Sequence, residues 1–197
     1  MVVGNARSVQ VPEIAPPSMH TVALLRGLNL GAHNRIGMKD LAAVFEGAGC
    51  VNVKTFIQSG NVVFDANAAL LRKVPALVAT TLNKNFDVTS PVVLRAAKEM
   101  TAVVKNNPFL KRGEALTTLH VGFLLEKPDV ALVKALDPLR SAPDEFEVLG
   151  KEVYLHLPNG VGRTKLTNAW FDSKLEGVVT VRNWNTVLEL TRMLDER

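Results

Sequence analysis

The same order of predicted strands and helices occurs twice along this chain of 197 residues, and this duplication constrains the fold more than any other feature. In each copy, short apolar runs typical of strands alternate with amphipathic helical patterns in the order β-α-β-β-α-β. The second copy follows the first with a period of roughly 95–100 residues, although the residues themselves hardly match. This order is typical of ferredoxin-like domains. The sequence therefore predicts an α+β protein of two ferredoxin-like halves.

The first predicted half spans residues 19–95. Its strands are predicted at 20–26, 51–58, 61–65 and 88–94, and its helices at 38–48 and 70–82. Residues 59–61 (Ser-Gly-Asn) form the tight turn of a hairpin between the second and third strands. Pro75 lies inside the second helical pattern, so this helix is either kinked or begins later than its apolar stripe suggests.

The second predicted half spans residues 116–197 and follows a linking helix and loop at 96–115. Its strands are predicted at 116–125, 146–149, 152–157 and 178–181, and its helices at 128–136, 165–175 and, as an additional C-terminal helix, 184–194. Thr164 is predicted to cap the helix at 165–175. Tyr154 and His156 alternate with apolar residues along their strand, which predicts both on its non-core side.

Residues 1–18 precede the first predicted strand, and they contain three prolines and no periodic pattern. We predict a flexible N-terminal tail here, because Glu13 and the prolines interrupt the apolar run that a secretory signal needs. No apolar run in the chain approaches the ~20 residues that span a bilayer. The expected location is therefore the cytoplasm, with no membrane partner.

The composition excludes several kinds of metal and redox site. Cys50 is the single cysteine, which excludes a disulfide within the chain and any zinc cluster built on cysteines. The four histidines show no metal-ligand spacing. We therefore expect neither a metal nor a cofactor. The formal net charge of +4 is compatible with phosphate-bearing partners, including nucleic acid.

Polar loops are predicted to meet at the ends of the two sheets. In a ferredoxin-like half with strand order 4-1-3-2, the loop after strand 1 lies beside the hairpin that precedes strand 3. In the first half, this arrangement brings together six polar residues: Arg26, Asn29, Asn34, Arg35, Gln58 and Asn61. In the second half, the loops after strands 3 and 4 contribute four more: Arg163, Lys165, Arg182 and Asn183. We predict one cleft between the halves, lined by both groups.

Cations with neutral amides and few carboxylates are suited to holding an anion and poorly suited to general acid–base catalysis. Our leading hypothesis is a binding protein for a nucleotide, another phosphorylated compound or a nucleic-acid segment. A second hypothesis is an enzyme that acts on a phosphorylated or acyl substrate, although no nucleophile–base pair is visible in the sequence. A third is a structural or interaction module in which these side chains fasten the halves together.

Four segments of the chain resemble the signatures of a bacterial family known as domain of unknown function 1697. They are residues 25–31 (LRGLNLG), 56–64 (FIQSGNVVF), 157–160 with 163–166 (LPNG and RTKL), and 180–186 (TVRNWNT). The resemblance covers nearly all of the chain from Met19 onward, and it implies an α+β protein of two ferredoxin-like halves. It implies no activity and supplies no catalytic residue.

Overall fold

The computed structural model describes residues 18–29 and 34–196. Over these residues the chain forms two four-stranded antiparallel sheets, eight α-helices and one short 3-10 helix. Of the predicted N-terminal tail, residues 1–17 lie outside the described part of the chain.

The first sheet has the strand order that the sequence predicts, with its first strand between the third and the fourth. Its elements are β1 (Met19–Leu25), α1 (Met38–Gly47), β2 (Val51–Phe56), β3 (Asn61–Ala66), α2 (Ala68–Leu71), α3 (Val74–Phe86) and β4 (Val92–Ala96), with sheet order β2-β3-β1-β4. Pro75 lies in the first turn of α3, where its missing N–H has no helical partner to lose. This helix therefore begins late and is not kinked at Pro75.

The second sheet repeats the first, and two helices connect them. The connecting helices are α4 (Ala97–Asn106), which matches the predicted linking helix, and α5 (Pro108–Lys111). The elements that follow are β5 (Leu119–Leu124), α6 (Val130–Lys134), β6 (Glu145–Leu149), β7 (Glu152–His156), α7 (Asn168–Leu175), β8 (Val179–Asn183) and α8 (Trp184–Asp195), with sheet order β6-β7-β5-β8. The second sheet order is again the predicted one.

The two sheets share a central layer made of α4 and α8. Val22 of β1 and Val121 of β5 pack into one apolar cluster with Met100 of α4 and Leu190 of α8. The other face of the first sheet is covered by α1 and α3, and the other face of the second sheet by α6 and α7. Trp184, at the start of α8, is 1% exposed in the central layer. Burial of these facing apolar surfaces is the main force that holds the sheets together.

Two local predictions were wrong. Tyr154 does not lie on an outer face; it is buried in the central layer, and its hydroxyl donates to the carbonyl of Val103 at 3.2 Å. The helix after β7 begins at Asn168, and its N-cap is Thr167, which accepts a hydrogen bond from the N–H of Trp170. Thr164 therefore lies in the loop. Two threonines close together both satisfy the preference for a hydroxyl at an N-cap, and local sequence alone does not separate them.

The turn between β2 and β3 gives a stability prediction. Gly60 has φ +74°, and a Cβ placed there would lie 2.9 Å from Leu25 Cβ and 3.2 Å from its carbonyl oxygen. Gly150, in the corresponding turn between β6 and β7, has φ +66°, but the nearest atom to its Cβ would be 3.7 Å away. Gly60→Ala should lower the free energy of unfolding by ~2–4 kcal/mol, from strain plus overpacking. Gly150→Ala should lower it by only ~1–2 kcal/mol.

Urea unfolding followed by circular dichroism measures both values. An equal decrease in the free energy of unfolding in the two glycine variants would mean that the close approach of Gly60 to β1 does not affect stability.

Candidate functional site

The loop after β1 is closed by its own asparagines. Asn29 donates from Nδ2 to the carbonyls of Ile36 and Gln58 at 3.1 and 3.0 Å, and its Oδ1 accepts from the N–H of Ile36 at 2.9 Å. Asn34 accepts a hydrogen bond from the N–H of Thr89 at 3.2 Å. Both asparagines have positive φ, at 57° and 53°, a conformation that asparagine tolerates better than most residues. Their side chains therefore have structural partners.

Arg26 and Arg35 have different surroundings. Arg26 forms an ion pair with Asp172, which links this loop to helix α7 that covers the second sheet. Arg35 is exposed and lines a cavity of about 460 Å³ together with Asn29, Ile36, Gly37, Met38 and Gln58. Of the first predicted group, three residues thus line one cavity at the end of the first sheet: Asn29, Arg35 and Gln58. His33, in the same loop, lies outside the described residues.

Arg182 reaches from β8 of the second sheet to the end of the first sheet. It is 8% exposed, and each of its five N–H groups has an acceptor. The acceptors are Asn61 Oδ1 (2.6 Å), the carbonyls of Leu25 (2.7 Å), Ser59 (3.1 Å) and Val181 (3.0 Å), and Thr180 Oγ1 (2.7 Å). Burial lowers the pKa of Arg182 to about 10. With no N–H left to donate, Arg182 and its partner Asn61 act as a structural tie.

Arg95 makes the corresponding tie in the opposite direction. It lies on β4 opposite Val22, as Arg182 lies on β8 opposite Val121. Its acceptors belong mainly to the second sheet: Glu152 Oε1 (2.9 Å) and the carbonyls of Leu124 (2.7 Å), Lys151 (3.1 Å) and Leu94 (2.9 Å). The two sheets are therefore fastened by reciprocal arginines at equivalent positions. Sequence reasoning missed Arg95, although its place in the duplicated order corresponds to that of Arg182.

Arg163 and Lys165 lie together in a second place. They are exposed and line a cavity of about 380 Å³, which we call the basic cavity. Its lining comprises residues of the loops before β6 and after β7: Leu139, Arg140, Ser141, Ala142, Pro143, Asp144, Asn159, Arg163 and Lys165. The Lys165 N–H donates to Ser141 Oγ at 2.9 Å, which joins the two loops. Arg140, a third exposed cation, was not predicted because its loop follows no strand end.

The basic cavity has an excess of positive charge. Within the described part of the chain, neither Arg140, Arg163 nor Lys165 forms an ion pair. Asp144 contributes the carboxylate of the lining, and it is 5% exposed. Its Oδ2 accepts from the hydroxyl of Ser141 at 2.7 Å. The Oδ1 of Asp144 is buried and has no hydrogen-bond partner in the described residues. The cavity therefore combines three exposed cations with one buried carboxylate.

Asn183 lies in a third place. Its Oδ1 accepts from the N–H of Thr186 at 2.8 Å, so it caps α8. It also lines a separate cavity of about 380 Å³, together with Val161 and Thr164 from the loop after β7. The loops after β7 and β8 thus meet at one end of the second sheet, as predicted.

The structure does not bring the two predicted groups into one cavity. Arg26 meets Asp172, which also accepts from the N–H of Val179 at the start of β8. Asn183 lies at the other end of the same strand, roughly 13 Å away for five extended residues. The cavity lined by Arg35 includes no residue of the second group, and the basic cavity includes none of the first. Arg182 of the second group does reach Asn61 of the first, but neither residue lines one of these three cavities. Separate cavities therefore replace the single cleft that the sequence predicted.

One further cluster contains metal-ligating residue types. Glu114, Glu145 and His156 place ligand atoms within 4.8 Å of one another. Arg112 donates to both carboxylates, at 2.9 Å to Glu114 and at 2.7 and 2.9 Å to Glu145. Hydrogen bonding to Arg112, ahead of that to His156, lowers the pKa of Glu145 to about 2. These carboxylates already have a cationic partner, which is typical of a surface ion-pair network.

The fold and a comparison with protein families classify this chain. The described residues form a mixed α+β protein with two four-stranded antiparallel sheets and eight helices. Residues 19–154 match the family described as "Protein of unknown function (DUF1697)", and the chain belongs to this family. The resemblance found in the sequence motifs is thereby confirmed.

Comparison with solved structures agrees with this fold. The conserved bacterial protein SP0830 from Streptococcus pneumoniae is similar to this chain with a TM-score of 0.70 and 20% sequence identity. The similarity covers 91% of this chain and 99% of the streptococcal one. No curated protein matches the chain. Among the described helices, none has the length and apolar character needed to cross a membrane.

Proposed function

We propose that this protein binds a phosphate-bearing ligand in the basic cavity. The observation that carries the proposal is the convergence of Arg140, Arg163 and Lys165, which have no carboxylate partner in the described structure. Cations that lie close together repel one another, and a bound anion offsets this repulsion. Arginine offers a planar fork that matches phosphate oxygens, and lysine adds a compact charge.

The size of the basic cavity favours a small ligand. A volume of about 380 Å³ lies at the lower end of the range for small-molecule sites. A nucleotide or a sugar phosphate fits this description better than a nucleic-acid duplex, which needs a basic surface that follows its backbone. The central helices α4 and α8 also cover one face of each sheet, so those faces are closed to the stacking used by RNA-recognition domains.

A thermal-shift screen tests this proposal. Inorganic phosphate, nucleoside monophosphates, sugar phosphates and short single-stranded RNA and DNA would be compared at two salt concentrations. We expect a phosphorylated small molecule to raise the Tm by binding the folded state, with a modest loss at high salt. A steep salt dependence with only the oligonucleotides active would favour a polyanion instead. No shift with any phosphate compound would contradict the proposal.

We further infer that each half is ferredoxin-like, with the halves at 19–95 and 116–197 joined through residues 96–115. The repeated element order, the repeated sheet order and the reciprocal arginines support this inference. We also propose a cytoplasmic location, which is supported by the absence of a cysteine pair in the sequence.

A structural role is the second candidate for the residues at the end of the first sheet. Three of these residues form contacts between the two halves: Arg26, Asn61 and Arg182. This observation favours the structural hypothesis for these three residues, and we leave them out of the proposed ligand-binding set. The proposed set is Arg140, Asn159, Arg163 and Lys165.

A further inference from the structure

The cavity at the end of β8 is chemically different from the basic cavity, and we call it the neutral cavity. Its lining consists of apolar residues, polar residues without a formal charge, and one histidine. These residues are His120, Leu155, Leu157, Val161, Thr164, Leu166, Thr167, Asn168, Val181 and Asn183. Its volume is about 380 Å³. A largely apolar pocket with a few placed polar groups is the usual form of a small-molecule site.

Two acceptors without a hydrogen-bond partner in the described part of the chain, of which only Asn168 Oδ1 is itself buried, belong to side chains that line this cavity. Asn168 Oδ1 is buried and has no hydrogen-bond partner in the described residues. His120 is 7% exposed, and its Nδ1 lies 3.4 Å from the carbonyl of Thr118, which assigns the ring proton to Nδ1 and leaves Nε2 as an acceptor. Burial lowers the pKa of His120, which favours the neutral ring. A buried acceptor without a partner, such as Asn168 Oδ1, is rare in folded proteins because it loses its hydration on folding.

We propose that the neutral cavity binds an uncharged aromatic heterocycle that carries an amino group, with adenosine as its simplest probe. The walls formed by Leu155, Leu157 and Val181 suit the faces of a flat ring. The exocyclic N–H groups of the ring are the donors that Asn168 Oδ1 and His120 Nε2 lack. Among the described residues, the lining contains no Asp, Glu, Lys or Arg, which disfavours an ionic ligand here.

This site is independent of the phosphate site proposed above. Thr164 lines the neutral cavity, whereas its neighbours Arg163 and Lys165 line the basic cavity. The segment at 163–165 thus lies between the two, and Thr164 Oγ1 is 3.4 Å from Ser141 Oγ of the basic cavity. Adenosine carries no phosphate, so its binding is measured without contribution from the cations.

Isothermal titration with adenosine and inosine tests the proposal on the full chain. Inosine replaces the 6-amino group with a carbonyl and carries its N–H on N1, so it presents an acceptor where adenosine presents donors to Asn168 Oδ1 and His120 Nε2. We expect adenosine to bind and inosine to bind at least about tenfold more weakly. Asn168→Ala should weaken adenosine binding by a similar factor, and Asn85→Ala, at an exposed position of α3, should leave it unchanged.

A second variant keeps the test decisive if Asn168→Ala disturbs the first turn of α7. Val161 is 53% exposed at the rim of the neutral cavity, so Val161→Trp should obstruct the cavity without altering the core. We expect this variant to melt like the wild type and to lose adenosine binding. Equal affinity for adenosine and inosine, full binding by Val161→Trp, or no adenosine binding at millimolar concentration would each overturn the proposal.

Discussion

Arg182→Ala is expected to lower the free energy of unfolding by about 3–5 kcal/mol, because it leaves several buried acceptors without donors. Leu25, Ser59 and Asn61 of the first sheet would each lose a hydrogen bond from the second sheet. Urea unfolding followed by tryptophan fluorescence measures this loss, since Trp184 is buried between the sheets. Arg95→Ala should have an effect of similar size, because it removes the reciprocal tie and leaves Glu152 without its cation.

Burial of the Arg182 charge also makes an unfavourable contribution to the stability of the folded state. Burial lowers the pKa of Arg182 to about 10, which means that the charged side chain carries a desolvation penalty in the folded state. This penalty is fully present below pH 10 and is relieved only as the pH rises above about 10. At neutral pH the alanine variant no longer carries this desolvation penalty. We expect the cost of leaving the buried acceptors without donors to be larger. A loss below ~1 kcal/mol, the size expected for an exposed arginine, would contradict the structural role of Arg182.

Replacing Arg163 and Lys165 together by alanine is expected to abolish phosphate binding. Hydrogen bonds to charged groups contribute about 1.5–3 kcal/mol each, so the loss of two cations should weaken affinity by at least about 100-fold. Both side chains are exposed, and neither forms an ion pair with a described residue, so the Tm should change little. Isothermal titration with inorganic phosphate and a melting curve provide the two measurements.

The matched control removes one arginine and one lysine elsewhere. Arg72 and Lys98 are exposed and line none of the three cavities described above. The Arg72→Ala/Lys98→Ala variant has the same net charge as the double variant of the basic cavity, and it should bind phosphate like the wild type. Equal loss of binding in both variants would mean that overall charge, and not the basic cavity, attracts the anion.

Much of the fold was predictable because hydrophobic periodicity and the duplicated order act together. The linking helix was predicted within residues 96–115, where α4 lies, and β1 and α8 were predicted within one residue at each end. Strand order followed from the element order, since few topologies connect these strands without crossing. The late start of α3 is one of the two outcomes that Pro75 predicted, since its ring disfavours a helix interior.

The site was only partly predictable because long side chains reach beyond their own loops. Arg182 looked like a free cation at a sheet end, yet its side chain runs back to the first sheet, and that contact depends on how the sheets pack. Tyr154 was misplaced for the same reason, because the sequence did not show that α4 and α8 cover that face. Arg140 and Asp144 join Arg163 only through the approach of two loops that are distant in sequence.

Backbone chemical-shift mapping by ¹H–¹⁵N NMR with added pyrophosphate locates the anion site on the full chain. We expect saturable shifts in the amides around four residues that line the basic cavity: Arg140, Ser141, Arg163 and Lys165. Shifts confined to the loop around Arg35 and Gln58, or no saturable shift in any part of the chain, would contradict phosphate binding in the basic cavity.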